Sequence, residues 1–234
     1  MKRILPAAAV ALAALAAAAP ALAAERRFSV TDFDRIQVDG PFQVNVTSGR
    51  PAAAVASGDS AALDRVSISV EGRTLRIRPN RSAWSGYPGD RPGPVRIEIG
   101  TRRLATAIVI GSGAVTLDRA EGMKVDLSLS GSGTLEVGAI EADTLLVGLI
   151  GSGGMRLSGK AKNLRATLRG TGNLDARGLT ALDAEVNADS AGPLVVGATR
   201  TAKVRATGSG EVEIVGTPDC TVSVHGAGPV RCGK

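Results

Sequence analysis

The chain has very few of the side chains that most catalytic and metal sites require. Its 234 residues include one histidine and two cysteines. Structural zinc sites draw mainly on cysteine and histidine ligands, so this content argues against zinc. Serine catalysis needs a base, and the single histidine, His225, has no Gly-x-Ser-x-Gly motif to serve. We therefore predict a protein that is not an enzyme, with no catalytic residues, no metal ligands and no cofactor.

Long apolar runs are scarce, and the one at the N-terminus has the pattern of a signal peptide. Lys2 and Arg3 precede an apolar segment from Leu5 to Ala19, which is too short for the roughly 20 residues of a membrane span. A small-x-small site follows, and we expect cleavage near Ala23 or Ala24. Residues 1–24 are therefore predicted to be a Sec signal peptide. The expected location is periplasmic or extracellular, with no membrane span.

Charge of one sign is not concentrated anywhere in the chain. The formal net charge is +6, and loss of the two basic residues of the leader would leave 6 − 2 = +4. The longest basic runs are pairs, Arg26-Arg27 and Arg102-Arg103. Nucleic-acid binding proteins carry a basic stripe, so we expect no nucleic-acid partner. A solvated basic surface is the main interpretation, and weak attraction to anionic surfaces is the alternative.

Glycine, in contrast, is abundant, and it recurs at a fixed period. Gly-x-Gly triplets begin at positions 111, 131, 151, 170, 208 and 226. We assign a degenerate copy to Ala188-Asp189-Ser190, which gives spacings of 20, 20, 19, 18, 20 and 18 residues. Because glycine lacks a Cβ, each triplet is interpreted as a sharp corner in a repeated coil.

Aliphatic and polar residues alternate on both sides of each triplet, which is typical of strands with one buried face. The positions predicted to point inward before the triplets are Val125/Leu127/Leu129, Leu145/Val147/Leu149, Leu164/Ala166/Leu168, Leu182/Ala184/Val186, Ala202/Val204/Ala206 and Cys220/Val222/Val224. Those after the triplets are Val115/Leu117, Leu135/Val137, Met155/Leu157, Leu174/Ala176, Val212/Ile214 and Val230/Cys232. One coil buries too few side chains to fold alone, so the coils must stack.

The predicted fold is therefore all-β, a parallel β-helix or β-solenoid with about 18–20 residues per coil, right-handed by the usual rule for parallel crossovers. A β-sandwich of short strands is the alternative, and it explains the alternation but not the period. Cys220 and Cys232 occupy inward positions on the two strands of the last coil. We predict a disulfide between them, which would staple that coil.

The first hundred residues are β-rich but irregular, and they hold all five aromatic residues. We assign residues 25–100 to N-terminal capping or first coils and 101–234 to the regular repeats, within one continuous domain of about 30–234. Residues 66–77 are predicted to form a hairpin around Gly72. The Pro- and Gly-rich segment 79–94 contains Arg81, Trp84, Tyr87 and Arg91, which we interpret either as a recognition loop or as a loop whose aromatics fold back onto the scaffold.

The residues predicted to point outward differ in charge and polarity from coil to coil. Enzymes on β-helices collect carboxylates on one outer face, whereas one outward column here is assigned as Asp126, Leu146, Arg165, Asp183 and Lys203, with alternating charge. The run 145–150 is apolar on both faces, and Ile108 and Ile110 also break the alternation. Cover by a return loop and lateral contact with another subunit are the two explanations.

Four segments together resemble one protein family. They are FDRIQVDGPFQVNVTSG, LDRVSISVEGRTLRIRP, the LSGSGTLEV-type units and TPDCTVSVHGAGPVRCG. They resemble the bacterial head GIN domain family (DUF2807-type), described as putative auto-transporter adhesins. The resemblance covers nearly all of the mature chain and implies a right-handed β-helical fold in the cell envelope. It brings no functional residues.

We accordingly expect an exported envelope protein that works as an adhesin-like or structural interaction module. Its expected partner is an envelope protein or a glycan, and self-association into a homo-oligomer is a further option. The alternative function is a carbohydrate-binding or carbohydrate-processing β-helix.

Overall fold

The computed structural model describes residues 24–80 and 93–233. Within these ranges the chain forms strands throughout, with one short helix. The strands are β1 (Ala24–Phe28), β2 (Arg35–Asp39), β3 (Gln43–Ser48), β4 (Ala53–Gly58), β5 (Val66–Glu71), β6 (Thr74–Pro79), β7 (Arg96–Thr101), β8 (Thr106–Gly111), β9 (Ala114–Gly131), β10 (Thr134–Gly151), β11 (Gly154–Gly170), β12 (Asn173–Ser190), β13 (Leu194–Ala206), β14 (Val212–Val215), β15 (Asp219–Val224) and β16 (Val230–Cys232). The helix is α1 (Ser60–Asp64).

The predicted β-solenoid is confirmed, with about six turns. Each long strand from β9 to β12 follows the chain around a whole turn and pairs in parallel with the next. In β10, residues 134–137 form what we call face B, residues 139–142 face C and residues 144–151 face A. Equivalent residues of successive coils stand directly above one another, and strands in such a sheet lie about 4.8 Å apart.

The core is a set of aliphatic columns that run along the solenoid axis. On face A one column passes through Ala107, Leu127, Val147, Ala166 and Val186, all of them buried. Alternation makes this possible, because every second side chain of a strand points to the same side. The period-two pattern of the sequence therefore becomes a continuous apolar interior.

Glycine is required at the corners because the coils approach so closely there. Gly131 has φ of +130°, and a Cβ on it would lie 2.3 Å from the carbonyl oxygen of Gly111 in the coil below. A Cβ on Gly133, at the end of the same triplet, would lie 2.2 Å from the carbonyl oxygen of Gly113. The first glycine of the triplet is therefore needed both for the positive φ of the turn and for the close approach of the coil below. The third glycine is needed for the close approach alone.

The degenerate corner lies two residues later than the sequence analysis placed it. Gly170 pairs with Ser190, so the corner is Ser190-Ala191-Gly192 and the prediction of Ala188-Asp189-Ser190 is wrong. Ala188 is a buried strand residue, while Leu182, predicted to be inward, is 43% exposed. The Ser190 hydroxyl, itself buried, donates to the carbonyl oxygen of Gly192 over 3.3 Å. Without a glycine at the first position, spacing alone does not locate the corner.

At the N-terminal end, the order of strands along the chain differs from their order in space. β2 lies between β6 and β8, and β3 lies between β7 and β9, all in parallel. The predicted hairpin is present as the antiparallel pair β5 and β6, with Gly72 at φ of +62°. Two more antiparallel strands, β4 on β7 and β1 on β4, extend this end of the sheet. Helix α1, which the sequence analysis missed, buries Ala62 and Leu63.

The last coil keeps the register of the stack but not its burial. Cys220, Val222 and Val224 stand in register with Ala202, Val204 and Ala206, which are buried. Val222 is nevertheless 42% exposed and Val224 46% exposed. The predicted disulfide between Cys220 and Cys232 is present and joins β15 on face A to β16 on face B. A covalent bond thus links the two strands of a coil whose apolar contacts are reduced.

Candidate functional site

The residues predicted from sequence for recognition lie outside the part of the chain that the structure describes. Arg81, Trp84, Tyr87 and Arg91 lie outside the described residues, and so does the signal peptide up to residue 23. Their roles remain predictions. His225 is exposed, and its Nδ1 lies 3.4 Å from the hydroxyl oxygen of Ser223.

Face A has a regular outer surface. Its strands pair without a register shift from β8 through residues 124–131, 144–151, 163–170 and 183–190. Between β10 and β12 the register shifts fall outside these segments, between residues 137 and 140 and between 156 and 158. The outward residues of face A therefore form straight columns on a rigid sheet.

The corrected register changes one of the predicted columns. Its members are Asp126, Leu146, Arg165, Glu185 and Lys203. Glu185 takes the position that the sequence analysis gave to Asp183, because the corner of that coil lies two residues later. Nε of Arg165 lies 3.3 Å from Oε2 of Glu185. Exposed pairs of this kind contribute little to stability, but they neutralise carboxylates that would otherwise gather on this face.

An aliphatic patch occupies the middle of face A. It consists of Leu146 and Ile150, with Gly148 between them on the same strand. Ile108 and Ile110 lie on the same outward side two strands below, beyond Ser128 and Ser130. Ile150 is 55% exposed and Ile110 is 37% exposed. Leu146 and Ile108 are half-buried on the same outward side. No segment of residues 24–80 or 93–233 encloses Ile150, so of the two explanations offered, cover by a return loop does not hold for the described residues.

Small and charged residues surround this patch in a definite order. Ser128 and Ser130 lie on the strand below Leu146 and Ile150, and Thr167 lies on the strand above. Asp126 is directly below Leu146, and Arg165 is directly above it. Arg169 stands above Ile150. The patch therefore has an apolar centre, with one carboxylate, Asp126, below it and two arginines, Arg165 and Arg169, above it.

Face C carries an open groove of about 940 Å³ that the sequence analysis missed. Its floor is formed by the in-register small residues Gly122, Ala142 and Ala161. Met123, which is 82% exposed, stands at one end of a wall and Leu182 at the other. Between them, Nζ of Lys162 lies 2.7 Å from Oδ1 of Asp143. This hydrogen bond raises the pKa of Lys162.

The perturbed carboxyl groups serve as ties between coils. Arg200 donates from Nε to Oδ1 of Asp183 over 2.9 Å, and the Thr201 hydroxyl donates to the same oxygen over 2.8 Å. The hydrogen bonds from Arg200 and then Thr201 lower the pKa of Asp183 to about 2. A carboxylate held in this way stays ionised at neutral pH and is a poor proton donor.

No group of three or more histidine, cysteine, aspartate or glutamate side chains in residues 24–80 and 93–233 is arranged to hold a metal ion. In the same ranges, no helix has the length and apolarity needed to cross a membrane.

The family model described as "Putative auto-transporter adhesin, head GIN domain" (DUF2807) matches residues 32–218. The chain belongs to the head GIN domain family. The resemblance drawn from its sequence segments is thereby confirmed. No curated protein matches this head GIN chain.

Solved structures of other proteins share the fold. A protein from Bacteroides fragilis, titled a putative adhesin, is 19% identical with a TM-score of 0.81, covering 91% of this chain and 98% of its own. One from Parabacteroides distasonis, titled a putative lipid binding protein, is 23% identical with a TM-score of 0.71, covering 92% and 98%. Another putative adhesin, from Parabacteroides merdae, is 18% identical with a TM-score of 0.67, covering 92% and 97%. These structures show that their fold is shared by this head GIN chain.

Sequence reasoning found one of the two surface features of this head GIN domain. The aliphatic patch was visible because residues 145–150 break the alternation of apolar and polar positions. The groove on face C was not, because its floor is a column of small residues that lie about twenty positions apart in the chain. That these residues are neighbours becomes evident only when the register of successive coils is known.

Proposed function

We propose that this chain is an exported, adhesin-like interaction module of the cell envelope, which acts without catalysis and makes contact through the aliphatic patch on face A. The observation that carries the proposal is the exposure of Ile150 and its neighbours at the centre of a regular sheet. The family description supports the adhesive role. The disulfide supports an oxidising compartment outside the cytoplasm, in keeping with the predicted signal peptide.

Exposure of these side chains has no structural purpose within the fold. Polar residues occupy the same outward columns in neighbouring coils, for example Ser130 below Ile150 and Arg169 above it. The fold therefore accepts a polar residue at this position. An apolar cluster on an otherwise polar sheet face is typical of a contact surface, since burial against a partner would remove it from water.

The rigid sheet suits a binding role more than a catalytic one. The charged residues that border the patch are Asp126 below it and Arg165 and Arg169 above it, and Arg165 pairs with Glu185. Catalysis by general acids and bases needs two or more groups converging on one point at a tuned pKa. The arrangement on face A instead presents separate charges around an apolar centre, which is the layout of a small protein–protein interface.

The test is attachment of the purified mature protein to the surface of the bacterium that produces it. We expect the double variant Leu146→Ser/Ile150→Ser to lose most of its attachment relative to the unmodified protein. A matched control, Met123→Ser/Leu182→Ser, removes two exposed apolar side chains from face C instead. It should attach normally.

Equal attachment of both double variants would overturn the assignment of the contact to face A. Failure of the unmodified protein to attach at all would overturn the adhesin-like role itself. Thermal unfolding of both variants shows whether the fold is intact, and since all four positions are on the surface we expect midpoints close to that of the unmodified protein.

A further inference from the structure

We propose that the partner of the aliphatic patch is a second copy of this chain, packed face A against face A with the two solenoid axes antiparallel. This inference rests on the proposed function, because it identifies what the same patch contacts. It follows from the symmetry of the columns around the strand formed by residues 144–151.

A two-fold axis along that strand determines which residues meet. The strand 144–151 faces its own equivalent, so Leu146 meets Leu146 and Ile150 meets Ile150 of the second copy. The strand below, residues 124–131, faces the strand above, residues 163–170, of the second copy.

The small residues then meet small residues. Ser128 stands one strand below Gly148, and Thr167 stands one strand above it. The axis therefore places Ser128 of one copy against Thr167 of the other, twice. Neither pair obstructs the contact of the aliphatic side chains.

The charges around the patch are complementary in the same arrangement. Asp126 lies one strand below Leu146 and Arg165 one strand above, so the axis brings each Asp126 against Arg165 of the second copy. Asp126 has no ion pair with any other described residue of its own chain. The Arg165 side chain is 70% exposed and can reach across the contact while it remains near Glu185.

The parallel arrangement is disfavoured by the same residues. A two-fold axis parallel to the solenoid axis would place each coil opposite the same coil of the second copy. It would also place the column that contains Leu146 opposite the column that contains Ile150. Arg165 would then meet Arg169 of the second copy, and Asp126 would meet Ser130. Two like charges would face each other and the acid would lack a partner. Electrostatics therefore selects the antiparallel orientation.

The proposed contact is small, which limits its affinity. Three strands about 4.8 Å apart and eight residues of about 3.3 Å each give roughly 300–400 Å² per copy. Stable dimers bury about 800 Å² per partner. We therefore expect weak self-association in dilute solution, with a Kd of roughly 0.1–1 mM. Molecules concentrated on one surface would associate more strongly through many such contacts.

The first experiment is charge reversal, read by analytical ultracentrifugation of the mature protein at up to about 1 mM. Asp126→Arg and Arg165→Asp should each weaken self-association at least about tenfold, because like charges then face each other. The double variant Asp126→Arg/Arg165→Asp restores opposite charges and should recover dimerisation. Glu141→Arg, which makes the same charge change on face C, is the control and should behave as the unmodified protein.

The second experiment tests orientation by thiol crosslinking. Ile150→Cys places two thiols opposite each other at the axis. Sheets packed face to face lie about 10 Å apart, too far for a direct disulfide, so a short bifunctional thiol crosslinker should give the covalent dimer. Ser130→Cys is the matched control, since its two copies are in addition displaced sideways by two strands, about 10 Å. The native cysteines are bonded to each other and leave no free thiol in the described residues.

A protein that remains monomeric at every concentration would overturn this inference, as would a double charge variant that is not rescued or a Ser130→Cys dimer that forms as readily as Ile150→Cys. Attachment to cells that still depends on Leu146 and Ile150 would then leave the proposed function standing with a different partner. Loss of both the self-association and the patch-dependent attachment would remove the proposed function as well.

Discussion

The requirement for glycine at the corners can be tested by adding one methyl group at a time. Gly153 lacks a positive φ, so an added Cβ there tests space alone. That Cβ would lie 2.5 Å from the carbonyl oxygen of Gly133 and 2.8 Å from Cδ2 of Leu129. Backbone on one side and core on the other leave little room to adjust. We expect Gly153→Ala to lower the free energy of unfolding by about 2–3 kcal/mol.

Two other glycines separate the effect of space from that of backbone conformation. Gly49 has φ of +76° with nothing within 4 Å of the added Cβ, so Gly49→Ala should cost about 1–2 kcal/mol through conformation alone. At Gly148 the added Cβ meets only the Ser128 hydroxyl at 3.3 Å, which can rotate away. Gly148→Ala should leave stability unchanged or raise it by about 0.5 kcal/mol.

Urea unfolding followed by circular dichroism measures all three variants under the same conditions. The expected order of stability is Gly148→Ala, then Gly49→Ala, then Gly153→Ala. If Gly153→Ala were as stable as Gly148→Ala, close stacking of the coils would not be the reason for glycine at the third position of each triplet. The corner would then need another explanation.

Three further predictions concern other parts of the fold. Reduction of the disulfide, or the double variant Cys220→Ala/Cys232→Ala, should lower the free energy of unfolding by up to about 3 kcal/mol. Hydrogen exchange should become faster in the last coil alone, and uniformly faster exchange along the chain would contradict a local effect of the disulfide. Because the pKa of Asp183 is lowered to about 2 from an ordinary value of 3.8, its contribution to stability is present above pH 3.8 and is lost as the pH falls toward 2. Asp183→Asn should remove that step from a plot of unfolding midpoint against pH, and an unchanged plot would show that the tie is not made in solution. Leu182→Ala should change stability by less than about 0.5 kcal/mol, whereas Leu168→Ala, in the core, should cost about 2–5 kcal/mol; similar losses would contradict the corrected register.

The candidate contact surface was only partly predictable from the sequence. The apolar run 145–150 marked the patch, because it breaks a strict alternation. The neighbours of the patch could be assigned only where the triplets on both sides are intact, as for Asp126 and Arg165. At Asp183 the assignment was wrong, since the next corner lacks its first glycine. One shift of two residues was enough to exchange Asp183 for Glu185 in a surface column.

The sequence by itself determined the repeat, the strand faces of the coils with intact triplets and the pairing of Cys220 with Cys232. Each of these depends on local spacing, because a coil of fixed length puts equivalent residues in the same place. The tertiary structure alone decided that β2 and β3 lie between later strands, that α1 forms, and that Ser190 replaces a corner glycine. It also decided which side chains surround the patch. These features arise from contacts between residues far apart in the chain, whose energies depend on which coil lies next to which.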